Sequence, residues 1–180
     1  MVHERPAGLR EGEHLGRAQR EVGFLANIPA PEVVKLASIP AQIVTIAGEE
    51  YLGYSEEWLD GPNLMDLTFG PHAAPPPPEA ECRILLLALF RAIRAIWQLG
   101  VVHRDIKPCN VIKLANPNRP FVLLDLGIAY DVNEASLTYE ATQRLPPATH
   151  RYFAPEMARF DFRDRLDYRA DLYTAGLTVF

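Results

Sequence analysis

Cysteine is nearly missing from this sequence: Cys82 and Cys109 are the only two in 180 residues. Two thiols exclude a disulfide framework and leave free cysteines in a reducing compartment as the expectation. Lysine is almost as scarce, since of 18 basic side chains only Lys35, Lys107 and Lys113 are lysines. Positive charge is in deficit as a whole, with a net charge of -5 and a pI near 5.5. A sequence-independent grip on nucleic acid needs a basic face, so no nucleic-acid partner is expected. Long apolar runs are lacking too: the longest, Ile84 to Phe90, falls far short of the roughly 20 residues that span a bilayer. The first residues show neither a charged-then-apolar leader nor a cleavage site. These absences together predict a cytoplasmic chain without a membrane segment.

What is present reads as one folded domain. Apolar residues make up 48% and charged residues 23%, the balance of an ordinary globular protein. Residues 1–19 are polar, with Gly8, Gly12 and Gly16 and no alternation, and read as loose. A weak helical segment is expected from Arg20 to Lys35, ending near Pro29 and Pro31, followed by β-like stretches at Gln42–Ile46 and Tyr51–Tyr54. Leu59 to Leu64 reads as a turn and Pro75 to Pro78 as a stiff connector. The clearest helix is Glu79 to Leu99, with glutamates in its first turn, Gly100 at its end and one polar stripe of Arg83, Arg91, Arg94 and Gln98. That pattern predicts burial on most sides. Val111–Leu114 and Phe121–Leu124, joined by a turn-prone stretch, predict a hairpin. From Asp125 to Glu156 no period is sustained, and a helix is expected from about Arg169 onward.

Pairing that hairpin brings Asn110, before its first strand, beside Asp125, after its second. An amide oxygen and a carboxylate side by side are hard ligands of the kind Mg²⁺ takes while it also holds phosphates. Asp105 and Lys107 stand just upstream, so one loop offers a base, a cation and a metal ligand, the set that phosphoryl transfer needs. His103-Arg104-Asp105-Ile106-Lys107-Pro108-Cys109-Asn110 resembles the catalytic loop of protein kinases. Asp125-Leu126-Gly127 is similar to that family's Asp-Phe-Gly metal motif, and Ala154-Pro155-Glu156 to the close of its activation segment. Thr149, Asp171 and Gly176 resemble further family positions, and Lys107 is the serine/threonine-kinase form. Upstream, Arg20 to Leu25 looks like the regulatory helix with Glu21 as its ion-pairing glutamate, and Glu56 to Gly61 looks like the hinge.

The resemblance implies an α+β, protein-kinase-like fold: a small-lobe remnant and hinge over 20–59, then an incomplete, mainly helical large lobe over 60–180. It implies ATP and Mg²⁺ as cofactors and a protein substrate. Asp105 would orient and deprotonate a serine or threonine hydroxyl, Lys107 would steady the transferred group, and Asn110 and Asp125 would hold the metal. Backbone groups of Glu57 and Leu59 would meet adenine, with Ile112 packing beneath it. His103 alone reads as a satisfied core histidine. Arg104 reads equally as a surface arginine or as the pocket for a phosphorylated Ser136, Thr138 or Thr142. Two parts depart from the family pattern: no lysine precedes Glu21, and no G-x-G-x-x-G stands anywhere. They make an inactive, pseudokinase-type interaction module the first alternative. A small-molecule phosphotransferase of the kinase-like superfamily is the second, weakened by Lys107 and Ala154-Pro155-Glu156. A partial reading frame is the third expectation. Transfer by this chain alone is expected to be negligible.

Overall fold

A computed structural model describes residues 13–69, 73, 75–132, 150–158 and 166–179. The first element, α1, runs Glu13–Asn27. It begins and ends earlier than the expected Arg20 to Lys35, and residues 13–19 are helical where a loose segment was expected. Its buried face lies toward its end: Glu21 and Leu25, and Ile28 just past the helix, recur at four and three residues and turn inward together. The segment after it, with Pro29 and Pro31, is extended instead, since proline removes the donors a helix needs. There Val34 donates to Leu123, Leu123 donates to Glu32 and Glu57 donates to Lys35. This segment therefore stitches the small lobe to the large one.

Strands β1 (Gln42–Ile46) and β2 (Glu49–Gly53) pair antiparallel with Ile46 opposite Glu49. Their two-residue turn, Ala47-Gly48, has φ of 53° and 85°, the left-handed pair that matches strand twist in a tight hairpin. After the hinge comes α2 (Leu64–Phe69), a short helix that begins where the turn expected over Leu59 to Leu64 ends and that was not itself expected. Asn63 caps it: its Oδ1 accepts from the Asp66 N–H and its Nδ2 donates to the Asp66 carboxylate, both at 2.8 Å.

Helix α3 runs Glu79–Trp97 and buries Leu85, Ala88, Leu89, Ala92, Ile93, Ala95 and Ile96. It is less enclosed than expected, because Ile84, Leu87 and Phe90 lie exposed beside the arginine stripe. Gly100, at φ 72°, ends it as read. Strands β3 (Val101–Val102) and β6 (Tyr130–Asp131) pair, as do β4 (Val111–Lys113) and β5 (Phe121–Leu123), the expected hairpin. The last described helix, α4 (Tyr168–Val179), packs along α3. One apolar cluster joins α1, α3, β4 and β5, and a smaller one gathers Val102, Tyr130, Ala154, Met157, Leu166 and Ala170.

Candidate active site

The loop after β3 is buried although it is polar: His103, Arg104, Asp105 and Asn110 are each less than a tenth exposed. Such a loop persists only if most of its polar groups are satisfied, and Asp171 of α4 does much of this. Its two oxygens accept the backbone N–H groups of His103 at 2.8 Å and Arg104 at 2.9 Å. Burial pushes the Asp171 carboxyl up, against the opposing pull of His103 and those two donors. The anchoring matters because Arg104 sits at φ 68°, a left-handed conformation that a bulky residue adopts only when its surroundings impose it. His103 is a satisfied core residue, as read: Nε2 lies 3.0 Å from the Leu124 carbonyl and must donate to it, leaving Nδ1 to accept from the Asp105 N–H at 3.3 Å.

Arg104 is settled against the surface reading. It is 2% exposed, its guanidinium bonds the Ile128 carbonyl, and it lies 5.4 Å from the centre of the Tyr130 ring. Ser136, Thr138, Thr142 and Thr149 lie outside the described residues.

The Asp105 carboxylate is the hub of the loop. Lys107 Nζ reaches its Oδ2 at 2.6 Å, and Asn110 Nδ2 donates to the same oxygen at 3.1 Å and to the Asp105 carbonyl at 2.9 Å. A 3-10 turn over Pro108–Asn110 folds the chain back tightly enough for this. Asp125 arrives from β5, with one correction to the expected register. Leu124, not Asp125, lies opposite Asn110 and donates to its carbonyl at 2.8 Å, because the ladder pairs Val111 with Leu123. Asp125 follows one position further at φ 64°, where its Oδ1 accepts the Gly127 N–H at 3.0 Å. It stays at this end of the hairpin through a local turn instead of the strand pairing.

The donor set suits Mg²⁺. Asn110 spends its amide nitrogen on Asp105, so Oδ1, approached by the Cys109 thiol at 3.7 Å, is the atom it could offer a metal. Among the described residues no group of three or more His, Cys, Asp or Glu side chains forms a closed cage. Two hard oxygens fit an ion that keeps waters and takes phosphate oxygens for the rest.

Glu21, on α1, is buried at 3% exposure, and its Oε1 accepts the Leu126 N–H at 3.1 Å. Sequence reasoning missed its other neighbour. The buried Tyr54, just past β2, is hydrogen-bonded to Glu21, and burial together with Glu21, Glu56 and Asp125 pushes the phenol well above its ordinary range. A lone tyrosine ending a strand carries no signal for this role.

The hinge is fixed from behind. Glu57 bonds Arg119 through both oxygens, at 2.5 and 2.6 Å, and Oε1 also accepts the Lys35 N–H. The Arg119 bonds hold the Glu57 carboxyl below its usual range against the effect of burial, helped by the Lys35 N–H. Arg119 also donates to the carbonyls of Pro31 and Val33. The Glu57 N–H is taken by Lys35 and the Leu59 carbonyl by the Gly61 N–H. Ile112 bridges to Asn63 and is half-buried. Gly61 is obligatory between them: a Cβ there would lie 2.0 Å from the Lys113 carbonyl oxygen. Gly176, singled out with Asp171, has open space around it instead.

The sequence profile of the protein kinase domain matches residues 7–180. The chain belongs to the protein kinase domain family. Its similar proteins include a probable serine/threonine-protein kinase PknB of Bifidobacterium longum, 28% identical over 169 residues, covering 92% of this chain and 23% of the relative. The probable serine/threonine-protein kinase SCO3848 of Streptomyces coelicolor is 26% identical over 171 residues, covering 95% and 24%. The serine/threonine-protein kinase pkn2 of Myxococcus xanthus is 30% identical over 178 residues, covering 97% and 19%. The chain thus spans about a quarter or less of the length of these relatives. Among the described residues no helix is long and apolar enough to cross a membrane.

Proposed function

We propose that this chain is the catalytic part of an ATP-dependent serine/threonine protein kinase that transfers phosphate to protein hydroxyls. The observation that carries the reading is the convergence on Asp105, whose carboxylate gathers Lys107 at 2.6 Å and Asn110 at 3.1 Å in a buried loop. Asp105 would accept the proton of the attacking hydroxyl, with Lys107 alongside to balance charge on the transferred group. Asn110 and Asp125 would hold Mg²⁺, which when bound neutralises charge on the phosphate oxygens. The Glu57 carbonyl and the Leu59 N–H would face adenine, the Glu57 N–H and Leu59 carbonyl being engaged elsewhere.

A second reading, an interaction module without turnover, is favoured by one observation. Each lysine is engaged away from Glu21: Lys35 on the Ile28 carbonyl, Lys107 on Asp105 and Lys113 on Glu81. Labelled phosphate transfer from ATP to a generic protein acceptor, by the natural polypeptide that contains this chain, separates the two. Asp105→Asn is expected to lower turnover by about 10² to 10⁴, the range of a positioned general base. Transfer that is the same with Asp105→Asn as with the parent would refute the catalytic assignment.

A further inference from the structure

A carboxylate on the apolar face of a helix is costly unless it is bonded. Glu21 shares its face of α1 with Leu25, and Ile28 follows just past the helix end, all three at 3% exposure. Its carboxylate spans two elements. One contact is the phenol of Tyr54 at the end of β2, and another is the backbone N–H of Leu126, reached at 3.1 Å. We propose that Tyr54 is a positioning residue for Asp125: its hydroxyl fixes the Glu21 carboxylate, and Glu21 fixes the backbone that carries the metal motif. The inference rests on the reading of Asp125 as a metal ligand.

The geometry around Gly127 says why such a brace is needed. A Cβ on Gly127 would lie 3.0 Å from Asp125 Oδ1 and 3.5 Å from Glu21 Oε2, so the two carboxylates flank one bare Cα. Asp125 itself sits at φ 64°, a left-handed conformation that aspartate reaches with the help of a local side-chain bond. Its own bond to the Gly127 N–H fixes the far side of the turn, and the Glu21 bond to Leu126 fixes the near side. Without the Tyr54 hydroxyl, the Glu21 carboxylate loses a charge-assisted donor and is free to turn toward water. Tyr54 suits the role because it is 5% exposed and packed in the main core, so its ring cannot swing away. A phenol also brings no positive charge beside Asp125, unlike a lysine.

The test is a double-mutant cycle read by amide hydrogen exchange, with Tyr54→Phe, Glu21→Gln and the pair together. Tyr54→Phe removes one oxygen and keeps the ring. Exchange at Leu126 is expected to quicken about three- to tenfold, the worth of one hydrogen bond. The α3 amides of Leu89 and Ile96 should stay at the parent rate, and the double variant should be no faster at Leu126 than Glu21→Gln alone. An unchanged Leu126 rate in Tyr54→Phe overturns the proposal. So does an equal quickening at Leu89 and Ile96, which would make Tyr54 a plain contributor to stability. Titration with Mg-ATP reads the consequence separately, with a several-fold weaker affinity expected for Tyr54→Phe. Absence of Mg-ATP binding by the parent would overturn the Asp125 reading, while the exchange cycle would still decide whether Tyr54 braces that turn.

Discussion

Asp171 anchors the buried loop that follows β3. It satisfies two buried N–H groups and thereby holds the left-handed Arg104. Asp171→Ala leaves both donors buried without an acceptor, at about 1–3 kcal/mol each, so a loss of roughly 2–6 kcal/mol is expected in a urea melt. A loss below about 0.5 kcal/mol, the range of a neutral surface change, would show that the loop holds itself. Its titration has a defined sign. The folded carboxyl is raised, so its contribution favours folding most at low pH and declines as pH rises from the unfolded value, near 4, through the folded one. Glu57 acts in the opposite sense. Its folded carboxyl is lowered, so the stability it gives is present above the unfolded value and lost as pH falls through the folded one. Glu57→Gln should therefore destabilise near pH 7, by about 1–3 kcal/mol for a charge-assisted pair, and match the parent once pH falls below both values. Chemical melts followed downward from pH 7 check this: the deficit should shrink as pH falls, and a deficit that stays constant until the parent itself unfolds would remove the charge from the account.

At the level of elements, the regular pieces were legible and the irregular joins were not. Glu79 to Leu99 announced α3 through its apolar content and its glycine stop, and the β4–β5 hairpin followed from two β-branched runs around a proline-asparagine turn. What escaped was decided at a distance. Helix α1 ends near Asn27 with Glu21 and Leu25 docked on the core, a placement that no local propensity carries. Helix α2 depends on the Asn63 and Asp66 exchange of bonds just after the stretch, Leu59 to Leu64, that reads as a turn. The exposed Ile84, Leu87 and Phe90 mislead in another way, since an all-apolar helix pattern cannot tell which side the rest of the fold covers. Asp125 was placed correctly at the end of its hairpin but one step off in register, because the turn, not the ladder, sets its position. Gly61 ties the hinge turn to the hairpin, and Gly61→Ala forces backbone against backbone. A loss of about 1–3 kcal/mol or more is expected from such overpacking, read as a lower thermal midpoint. An unchanged midpoint would mean that the turn can move away from Lys113.

For the molecule as a whole, the family was legible from motif order alone, because His103 to Asn110, Asp125 to Gly127 and Ala154 to Glu156 leave little to coincidence. The brace of Tyr54 on Glu21, and that of Arg119 on Glu57, were not legible, since each joins residues far apart in sequence: 62 positions separate Arg119 from Glu57. Arg119 ties the hinge to the β4–β5 hairpin and Glu21 ties α1 to the backbone at Leu126, so the geometry of the candidate site is shared between the two parts of the chain. The chemistry that we assign rests on the large lobe: Asn110 and Asp125 for the metal, Asp105 for the proton. The measurement that bears most directly on that claim is calorimetric titration of the 180-residue chain with ATP, with and without Mg²⁺, beside Asp125→Ala. Without a glycine loop or a phosphate-holding lysine the binding should be weak, with a Kd of order 1 mM or about -4 kcal/mol. The account predicts that it requires Mg²⁺ and disappears in Asp125→Ala. Binding that is indifferent to Mg²⁺, or that survives the substitution unchanged, would contradict it.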